Sequence, residues 1–391
     1  MLDSPVRGFL VGEFETRLER LHKLMSTKRL AGILLMSEPE VRYFTGFLTQ
    51  FWQSPTRPWF LFIPVDKKPI AVIPEIGAAL MRTTWIDDIR TWGAPWPKDD
   101  GISLLQDLLE PLLKSGARLG VMKGHESSLR MPLGDYERLM SRLGGIELVD
   151  ATDILHNLRM VKSAAEIDKI AHICGIASRT FARAGDIFHK GQSLAEAFRA
   201  FRIECLTQGA DDVPYLAGGA DQGGYCDIIS PPSNRSLESG DILMFDTGAT
   251  FDGYFCDFDR NFAIEQADDL SRRAYDTLWR ATEAGLSTAR PGRTCRDLFQ
   301  AMQNVISEMD DQGGEVGRYG HGLGMQLTEQ PSHAVFDDTV LEENMVITLE
   351  PSLNYGDGLI MVHEENIVVQ NGAPRLLSKR AAPELPIIGG R

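Results

Sequence analysis

The segment Gly240–Ala263, GDILMFDTGATFDGYFCDFDRNFA, decides the fold of this chain and carries its first candidate functional residues. Two apolar runs flank the pair Asp252-Gly253, and Asp-Gly between apolar runs is a strong hairpin signal. A two-residue turn at this pair makes Asp246 and Asp257 diagonal neighbours on one face, with Cα atoms roughly 7–8 Å apart. Two carboxylates at that spacing repel each other unless a cation lies between them.

The same register places Asp259 directly opposite Asp246. Because Asp259 is followed by Arg260, we interpret it as half of a structural ion pair. The segment therefore predicts either a metal-binding hairpin or a solvated hairpin face that carries surface acids.

Composition limits the classes of protein and partner. The chain has 391 residues, 43% of them hydrophobic and 24% charged, which is typical of a globular protein with two domains. Its net charge of −15 argues against nucleic acid or an anionic membrane as partner. No apolar run approaches the ~18–20 residues of a transmembrane helix, and no signal peptide is evident. Five scattered cysteines without CxxC spacing predict a reduced, cytoplasmic location.

Strand and helix signals alternate over the first ~150 residues, which predicts a small α/β domain. The pair Ser163 and Glu166 has capping-box spacing and predicts the first helix of a second domain. The glycines of Ala217–Tyr225 predict a loop, and Ala381–Arg391 predicts a loose tail. Strands are predicted later in the chain at Gly324–Gln330, Met345–Glu350 and Ile360–Val369.

Three further residues join the two aspartates as candidates for metal binding. His321 lies between glycines in YGHGLG, Glu350 ends an apolar strand, and Glu364 begins another. Acids that interrupt buried strands are costly unless they are paired or bound to metal. Four carboxylates and one imidazole form an oxygen-rich ligand set with one nitrogen. Such a set suits Mn, Fe, Co or Zn, and it is not a thiolate site. Taken singly, each residue is a weak signal, and a lone histidine is more often structural than a metal ligand.

The order of these motifs, GDxLxxDTGAxxDGYxxDxxRxF, GHGxG, xxLEPxL and HEExxVV, resembles the pita-bread metalloenzyme family. That family includes methionine aminopeptidase, Xaa-Pro aminopeptidase, prolidase and creatinase. The segment GILLMSEPEVRYFTGF is similar to the N-terminal domain of the prolidase and creatinase branch. The resemblance implies an α/β N-terminal domain over residues 1–157 and an α+β pita-bread catalytic domain over residues 158–391. It also implies a homodimer.

The resemblance implies two divalent metal ions, Mn, Co, Fe or Zn. Asp246 would bind one ion, His321 and Glu350 the other, and Asp257 and Glu364 would bridge them. Glu350 and His321 would also be catalytic, with Glu350 handling the proton of the attacking water. Glu365 is the nearest competitor to Glu364, but the spacing to the following strand favours Glu364.

The chain departs from the peptidase pattern at two positions. Thr328 stands where the peptidases carry a second histidine, and the stretch Asp227–Arg235 lacks the histidine that precedes the GD strand. Asp227 could supply polarity there or serve a turn. His333 is predicted to lie in a surface loop. His363, which precedes Glu364, is a candidate substrate-binding residue or a partner that holds Glu364.

The aromatic stretch Phe51–Trp59 is either core packing beside a strand or the lining of a pocket. In the second case Trp52 and Arg57 bind substrate, because a Trp face attracts organic cations and Arg binds carboxylates.

These observations leave three functions open. The first is a metal-dependent hydrolase of an amide-like C–N bond, similar to Xaa-Pro dipeptidases and aminopeptidases, acting on a dipeptide or another small molecule. The second is a non-peptidase enzyme for a small zwitterionic solute, similar to creatinase, ectoine hydrolase or dimethylsulfoniopropionate lyase. The third is a non-enzymatic binding scaffold, which has no need to keep five metal ligands.

Overall fold

The computed structural model describes residues 4–54, 57–309, 317–356 and 358–389. Within them the chain divides into two compact units, one of residues 6–159 and one of residues 160–389 together with residues 4–5. The division falls two residues after the predicted domain boundary at 157/158.

The first unit is built on a mixed six-stranded sheet in the order β4-β3-β2-β1-β5-β6. Its helices and strands alternate along the chain, as the sequence predicts. Buried side chains such as Phe62, Val72 and Leu105 form its core. The elements are α1 Val11–Lys28, β1 Gly32–Leu35, α2 Glu38–Thr45, β2 Phe60–Pro64, β3 Ile70–Pro74, α3 Ala78–Met81, β4 Asp88–Trp92, α4 Ile102–Leu109, β5 Arg118–Val121, α5 Leu133–Arg142, β6 Glu147–Asp150 and α6 Thr152–Met160.

The second unit begins with a helix that carries the predicted capping box. The Ser163 hydroxyl accepts the backbone N–H of Glu166, and the Glu166 carboxylate accepts the N–H of Ser163. The elements up to the second sheet are α7 Ala164–Phe181, α8 Ala184–Ile187, α9 Leu194–Thr207, β7 Asp212–Gln222, β8 Asp241–Phe251, β9 Tyr254–Phe255, β10 Phe258–Ile264, α10 Asp269–Thr288 and α11 Cys295–Ile306.

The strands that follow α11 are short. They are β11 His321–Gly322, β12 Glu329–Ser332, β13 Val346–Leu349, β14 Ser352–Tyr355, β15 Leu359–Val362, β16 Glu365–Val368, β17 Arg375–Leu376 and β18 Ile387–Ile388. One sheet has the order β18-β10-β8-β7, with β9 paired to β8, and a second has the order β12-β11-β13-β16-β17. Side chains of α10, α11 and both sheets, such as Leu278, Met302, Met244 and Ile347, share one buried core.

Three predicted elements differ from the structure. Of the four glycines predicted to form a loop, Gly218 and Gly219 lie in β7, which runs to Gln222, and Gly223 and Gly224 follow it. The predicted strand Ile360–Val369 is two strands, interrupted at His363 and Glu364. The predicted strand Gly324–Gln330 is mostly outside strands, because β12 begins at Glu329.

The predicted loose tail is also wrong over its described part. Its Ile387–Ile388 strand pairs with β10, and Leu385 is buried. None of the described helices is long and apolar enough to cross a membrane.

Candidate metal centre

The hairpin β8–β10 forms in the predicted register. Asp252 and Gly253 both have positive φ, 48° and 74°, as a type I′ two-residue turn requires. Phe251 pairs with Tyr254, and further along the ladder Asp259 pairs with Asp246. The ladder is interrupted between β9 and β10, and Asp257 lies in that interruption. The local turn signal therefore fixes where both aspartates stand.

His321 is held by close backbone packing on both sides of its strand. Gly320 has a φ of 124°, and a Cβ there would clash with the Thr348 carbonyl oxygen. The ring Nδ1 lies 2.8 Å from the Gly322 carbonyl oxygen, so it carries the proton and donates. Nε2 is thereby left with a lone pair for a metal, and it lies 3.5 Å from Asp257 Oδ2 and 3.8 Å from Glu350 Oε2.

Asp257, His321 and Glu364 form a compact cluster of potential metal ligands. One ligand atom from each lies within 4.8 Å of the others, and all three side chains are buried. Glu350 adjoins the cluster, because its Oε2 lies 3.8 Å from His321 Nε2, and 28% of its side chain is exposed. Asp246 completes the set on β8, where its Oδ1 is buried without a hydrogen-bond partner in the described chain. The structure thus brings the five predicted ligands into one region.

The electrostatics of this region call for a cation. Burial raises the pKa of Asp246 to about 6 and that of Glu350 to about 8, where the nearby Asp246 carboxylate adds to the effect. Burial and the neighbouring carboxylates raise the pKa of Asp257 and Glu364 well above the ordinary value. Burial lowers the pKa of His321 to about 4, so the ring is neutral and able to bind metal.

These residues fit a divalent metal. Glu364 Oε1 is a second buried oxygen without a hydrogen-bond partner among the described residues, beside Asp246 Oδ1. Buried carboxylates are stable when they are paired or coordinate a metal. The donor set of four carboxylates and one imidazole matches first-row divalent metals. A cation at this position would offset the desolvation cost of these two unpartnered oxygens.

Glu365 differs sharply from its neighbour Glu364. Its carboxylate accepts from Arg260 at 2.9 Å, from Arg380 at 3.2 Å and from the Ala381 backbone at 2.8 Å. It also accepts from the Ser378 hydroxyl. Its oxygens are therefore already compensated by the protein.

The predicted ion pair between Asp259 and Arg260 is wrong. The guanidinium pairs with Glu365 instead. Asp259 Oδ1 accepts the backbone N–H of Glu364 at 2.8 Å, and its Oδ2 is buried with no hydrogen-bond partner in the part of the chain that the structure describes. Asp259 therefore contacts the backbone of a candidate ligand.

Tyr215 is a functional candidate that the sequence did not reveal. It lies on β7 opposite Gly248, and burial together with the nearby Asp246 and Asp257 carboxylates raises the pKa of its hydroxyl. Tyr215 in turn lowers the pKa of Asp246, against the larger effect of burial. No short motif marks Tyr215, because only the pairing of β7 with β8 brings it beside the hairpin.

His363 is not brought into the cluster. Its Nδ1 lies 2.9 Å from the Thr282 hydroxyl, and its Nε2 lies 3.4 Å from Arg380 Nη1. These contacts place the ring among α10 and the C-terminal segment, and they do not support the predicted substrate contact.

The other two predicted substrate-binding residues belong to the first unit. Trp52 packs against Trp59 with ring centroids 5.7 Å apart, and the Arg57 guanidinium lies 5.6 Å from the Phe51 ring. Arg130 donates to the carbonyl oxygens of Trp52 and Arg57. Their binding role stays a prediction.

The positions of the two absent histidines have other contacts. Asp227 Oδ1 accepts the N–H groups of Ile229 and Ser230, so this carboxylate serves a turn. Thr328 precedes β12 and is half-buried. His333 is fully buried, and the predicted surface position is wrong. Its backbone pairs with Tyr319 and Gly320, which explains the burial.

The fold and the site are those of a candidate metalloenzyme, and family membership makes it a metal-dependent hydrolase. The model of metallopeptidase family M24 matches residues 168–371, and that of the creatinase/prolidase N-terminal domain matches residues 17–161. The chain belongs to metallopeptidase family M24. The predicted fold class, an α/β N-terminal domain followed by a pita-bread catalytic domain, is confirmed.

Several known proteins are similar over nearly their whole length. The Xaa-Pro dipeptidase of Pyrococcus horikoshii is 28% identical over 373 residues, covering 92% of this chain and 96% of that protein. The Xaa-Pro dipeptidase of Pyrococcus furiosus is 24% identical over 371 residues, with coverage of 92% and 97%. The crystal structure of dipeptidase PepE from Mycobacterium ulcerans matches with a TM-score of 0.83, 25% identity and coverage of 97% and 99%.

Proposed function

We propose that this chain is a dipeptidase that uses two divalent metal ions. The observation that carries the proposal is the buried cluster of Asp257, His321 and Glu364, flanked by Asp246 and Glu350. Similarity to Xaa-Pro dipeptidases over most of the chain supports a dipeptide as the substrate. In this proposal Asp257 and Glu364 would be shared by the two ions, Asp246 would hold one, and His321 and Glu350 would hold the other.

The metal ions would polarise the scissile carbonyl and lower the pKa of a water molecule. Glu350 then has the role of moving a proton, from the attacking water to the leaving amine. Its carboxylate suits that role because it is half-buried, with 28% of the side chain accessible. His321 is kept in its metal-binding tautomer by the Gly322 carbonyl.

Arg318 is our candidate for binding the free carboxylate of a dipeptide. It donates to the Ser332 hydroxyl at 3.3 Å, and Ser332 pairs with His321 across β11 and β12. Its positive charge lowers the pKa of Glu350 and Asp257 against the stronger effect of burial. A guanidinium beside the cluster balances an anionic substrate group, as recognition of a carboxylate requires.

Hydrolysis assays test the proposal. Metal-free protein is loaded with Mn, Co, Fe or Zn and incubated with Xaa-Pro dipeptides and with dipeptides that lack proline. We expect turnover with at least one metal, and its loss in Glu350→Gln. Arg318→Ala should raise KM for a dipeptide while leaving KM for the corresponding dipeptide amide unchanged. The proposal is contradicted if the chain hydrolyses no dipeptide with any of the four metals.

A second candidate function is a hydrolase or lyase reaction on a small zwitterionic solute. It is favoured by the absence of histidine at Thr328 and over Asp227–Arg235, with the Asp227 carboxylate used in a turn. A panel of such solutes, screened for turnover and for a shift in melting temperature, separates it from the dipeptidase. A scaffold without activity is disfavoured by membership of a metallopeptidase family. The homodimer and the cytoplasmic location stay predictions.

A further inference from the structure

Two buried side chains connect the hairpin to the strand that follows Glu364, and each contacts the backbone of a candidate ligand on the other element. Asn366, on β16, accepts the backbone N–H of Asp257 with its Oδ1 at 2.9 Å. Its Nδ2 donates to the Asp257 carbonyl oxygen. In the opposite direction, Asp259 Oδ1 accepts the backbone N–H of Glu364 at 2.8 Å. We call this pair of residues, Asp259 and Asn366, the brace.

The brace lies where the hairpin ladder is incomplete. Strand β9 ends at Phe255 and β10 begins at Phe258, so Asp257 lies between two strand segments. The amide of Asn366 has an acceptor oxygen and a donor NH2 group, and through them it satisfies both backbone groups of Asp257 as a neighbouring strand would. Asn366 is anchored in turn, because its own N–H donates to the Ser378 hydroxyl at 3.0 Å.

Burial makes these hydrogen bonds consequential. Asn366 is fully buried and Asp259 is 1% exposed. A buried polar group that loses its partner carries its full desolvation cost, so neither ligand backbone is free to shift while the brace is intact. The two residues held in this way are the proposed bridging ligands.

We propose that Asp259 and Asn366 are positioning residues that set the separation of Asp257 and Glu364, and thereby the affinity for divalent metal. This inference rests on the proposed metal centre. Partners that orient metal ligands typically contribute about 10–100-fold in affinity. Neither residue needs to contact the metal or the substrate for this effect.

The test is calorimetric titration of the metal-free full chain with Mn²⁺, in the absence of substrate. Asn366→Ala and Asp259→Ala should each raise the Kd for Mn²⁺ by about 10-fold or more. Asp259→Asn should bind Mn²⁺ within about threefold of wild type, because its amide oxygen still accepts the Glu364 N–H. Asn366→Thr keeps one hydrogen-bonding group and suits a strand, so it should fold and bind Mn²⁺ with intermediate affinity.

Tyr225→Phe is the matched control. The Tyr225 hydroxyl donates to Asn261 Oδ1 and accepts the Val362 N–H, both at 2.9 Å, so its hydrogen bonds go to residues other than the ligands. The control should lose thermal stability in the metal-free state and keep its Kd for Mn²⁺. The brace is overturned if Asn366→Ala, Asp259→Ala and Asn366→Thr bind Mn²⁺ with the same Kd as Tyr225→Phe. A loss in Asp259→Asn as large as in Asp259→Ala also overturns it, because charge would then be responsible.

The outcome is separable from that of the proposed function. Wild-type chain that binds Mn²⁺ but hydrolyses no dipeptide overturns the proposed substrate and leaves the titration valid. Wild-type chain that binds no Mn²⁺ overturns both the metal centre and the brace.

Discussion

The catalytic unit contains two groups of buried acids whose surroundings are opposite. Around Glu365, arginine, serine and backbone donors satisfy both carboxylate oxygens. One residue earlier, Glu364 shares its surroundings with Asp257 and His321, and its Oε1 has no hydrogen-bond partner among the described residues. Both acids are buried, so burial alone does not distinguish a structural acid from a metal ligand. The distinction lies in whether the protein itself supplies the opposite charge.

Replacing Glu364 by Gln should have the largest effect on function. The amide offers a weaker ligand to a divalent metal, so we expect hydrolysis to fall by more than the roughly 100-fold that loss of an outer partner costs. The kcat of metal-loaded protein and its metal content measure this. Glu365→Gln is the matched control, assayed at a temperature where circular dichroism shows both variants folded, and equal losses in both would remove the functional distinction between the two acids.

Replacing Glu365 by Gln should have the largest effect on stability. It leaves the Arg260 guanidinium buried without its counter-charge, which costs about 3–5 kcal/mol of unfolding free energy, whereas Arg380 keeps its ion pair with Glu283. Glu364→Gln in metal-free protein should cost nothing or be stabilising, because it removes repulsion among carboxylates. Urea denaturation of both metal-free variants is the measurement. A destabilised Glu364→Gln would mean that the protein already compensates that acid.

The stability of metal-free protein should depend on pH in the direction set by its uncompensated acids. Since the pKa of Asp246 is raised to about 6 and that of Glu350 to about 8, the folded state holds protons that the unfolded state has released. The unfolding free energy should therefore fall as pH rises from about 4 to about 8, by about 1.4 kcal/mol for each pH unit that separates the pKa of an acid in the folded chain from its pKa in the unfolded chain. Bound Mn²⁺ favours the charged carboxylates and should flatten the dependence. Denaturation curves at pH 5 and pH 8, with and without Mn²⁺, check this. The prediction is refuted if the unfolding free energy changes equally with pH in the presence and absence of Mn²⁺.

The smallest effect is expected at His363, next to Glu364. Thr282→Val removes the hydroxyl that lies 2.9 Å from its Nδ1, which should cost about 1 kcal/mol of stability. Because the ring packs away from the cluster, kcat and KM should stay within about twofold of wild type. A raised KM in this variant would restore the predicted substrate contact of His363.

The sequence identified what depends on local signals. The Asp252-Gly253 turn set the register that faces Asp246 with Asp259, and the Ser163 capping box set the start of α7. The sequence-based predictions were wrong where contacts between distant chain segments decide the local structure. Gly218 lies in β7 and not in a loop, because its missing Cβ lets the Met244 carbonyl occupy the space that a side chain would need.

The same reason explains the errors at the site. The partners of Glu365 come from Arg260 and Arg380, which are far apart in the sequence, so the pattern HEE could not show which acid is compensated. Tyr215 and Asn366 reach the ligands through strand pairing and side-chain hydrogen bonds that no short motif encodes. The resemblance to a family selected Glu364, and the geometry supplies a physical reason for that choice.

The most direct measurement is anomalous X-ray scattering from crystals of the full chain soaked in Mn²⁺. We expect two anomalous peaks, roughly 3.5–4 Å apart. One should lie against Asp246 and the other against His321 and Glu350, with Asp257 and Glu364 between them. Absence of anomalous density at this cluster, or density at Glu365 in its place, would contradict the assignment of these five residues as the metal ligands.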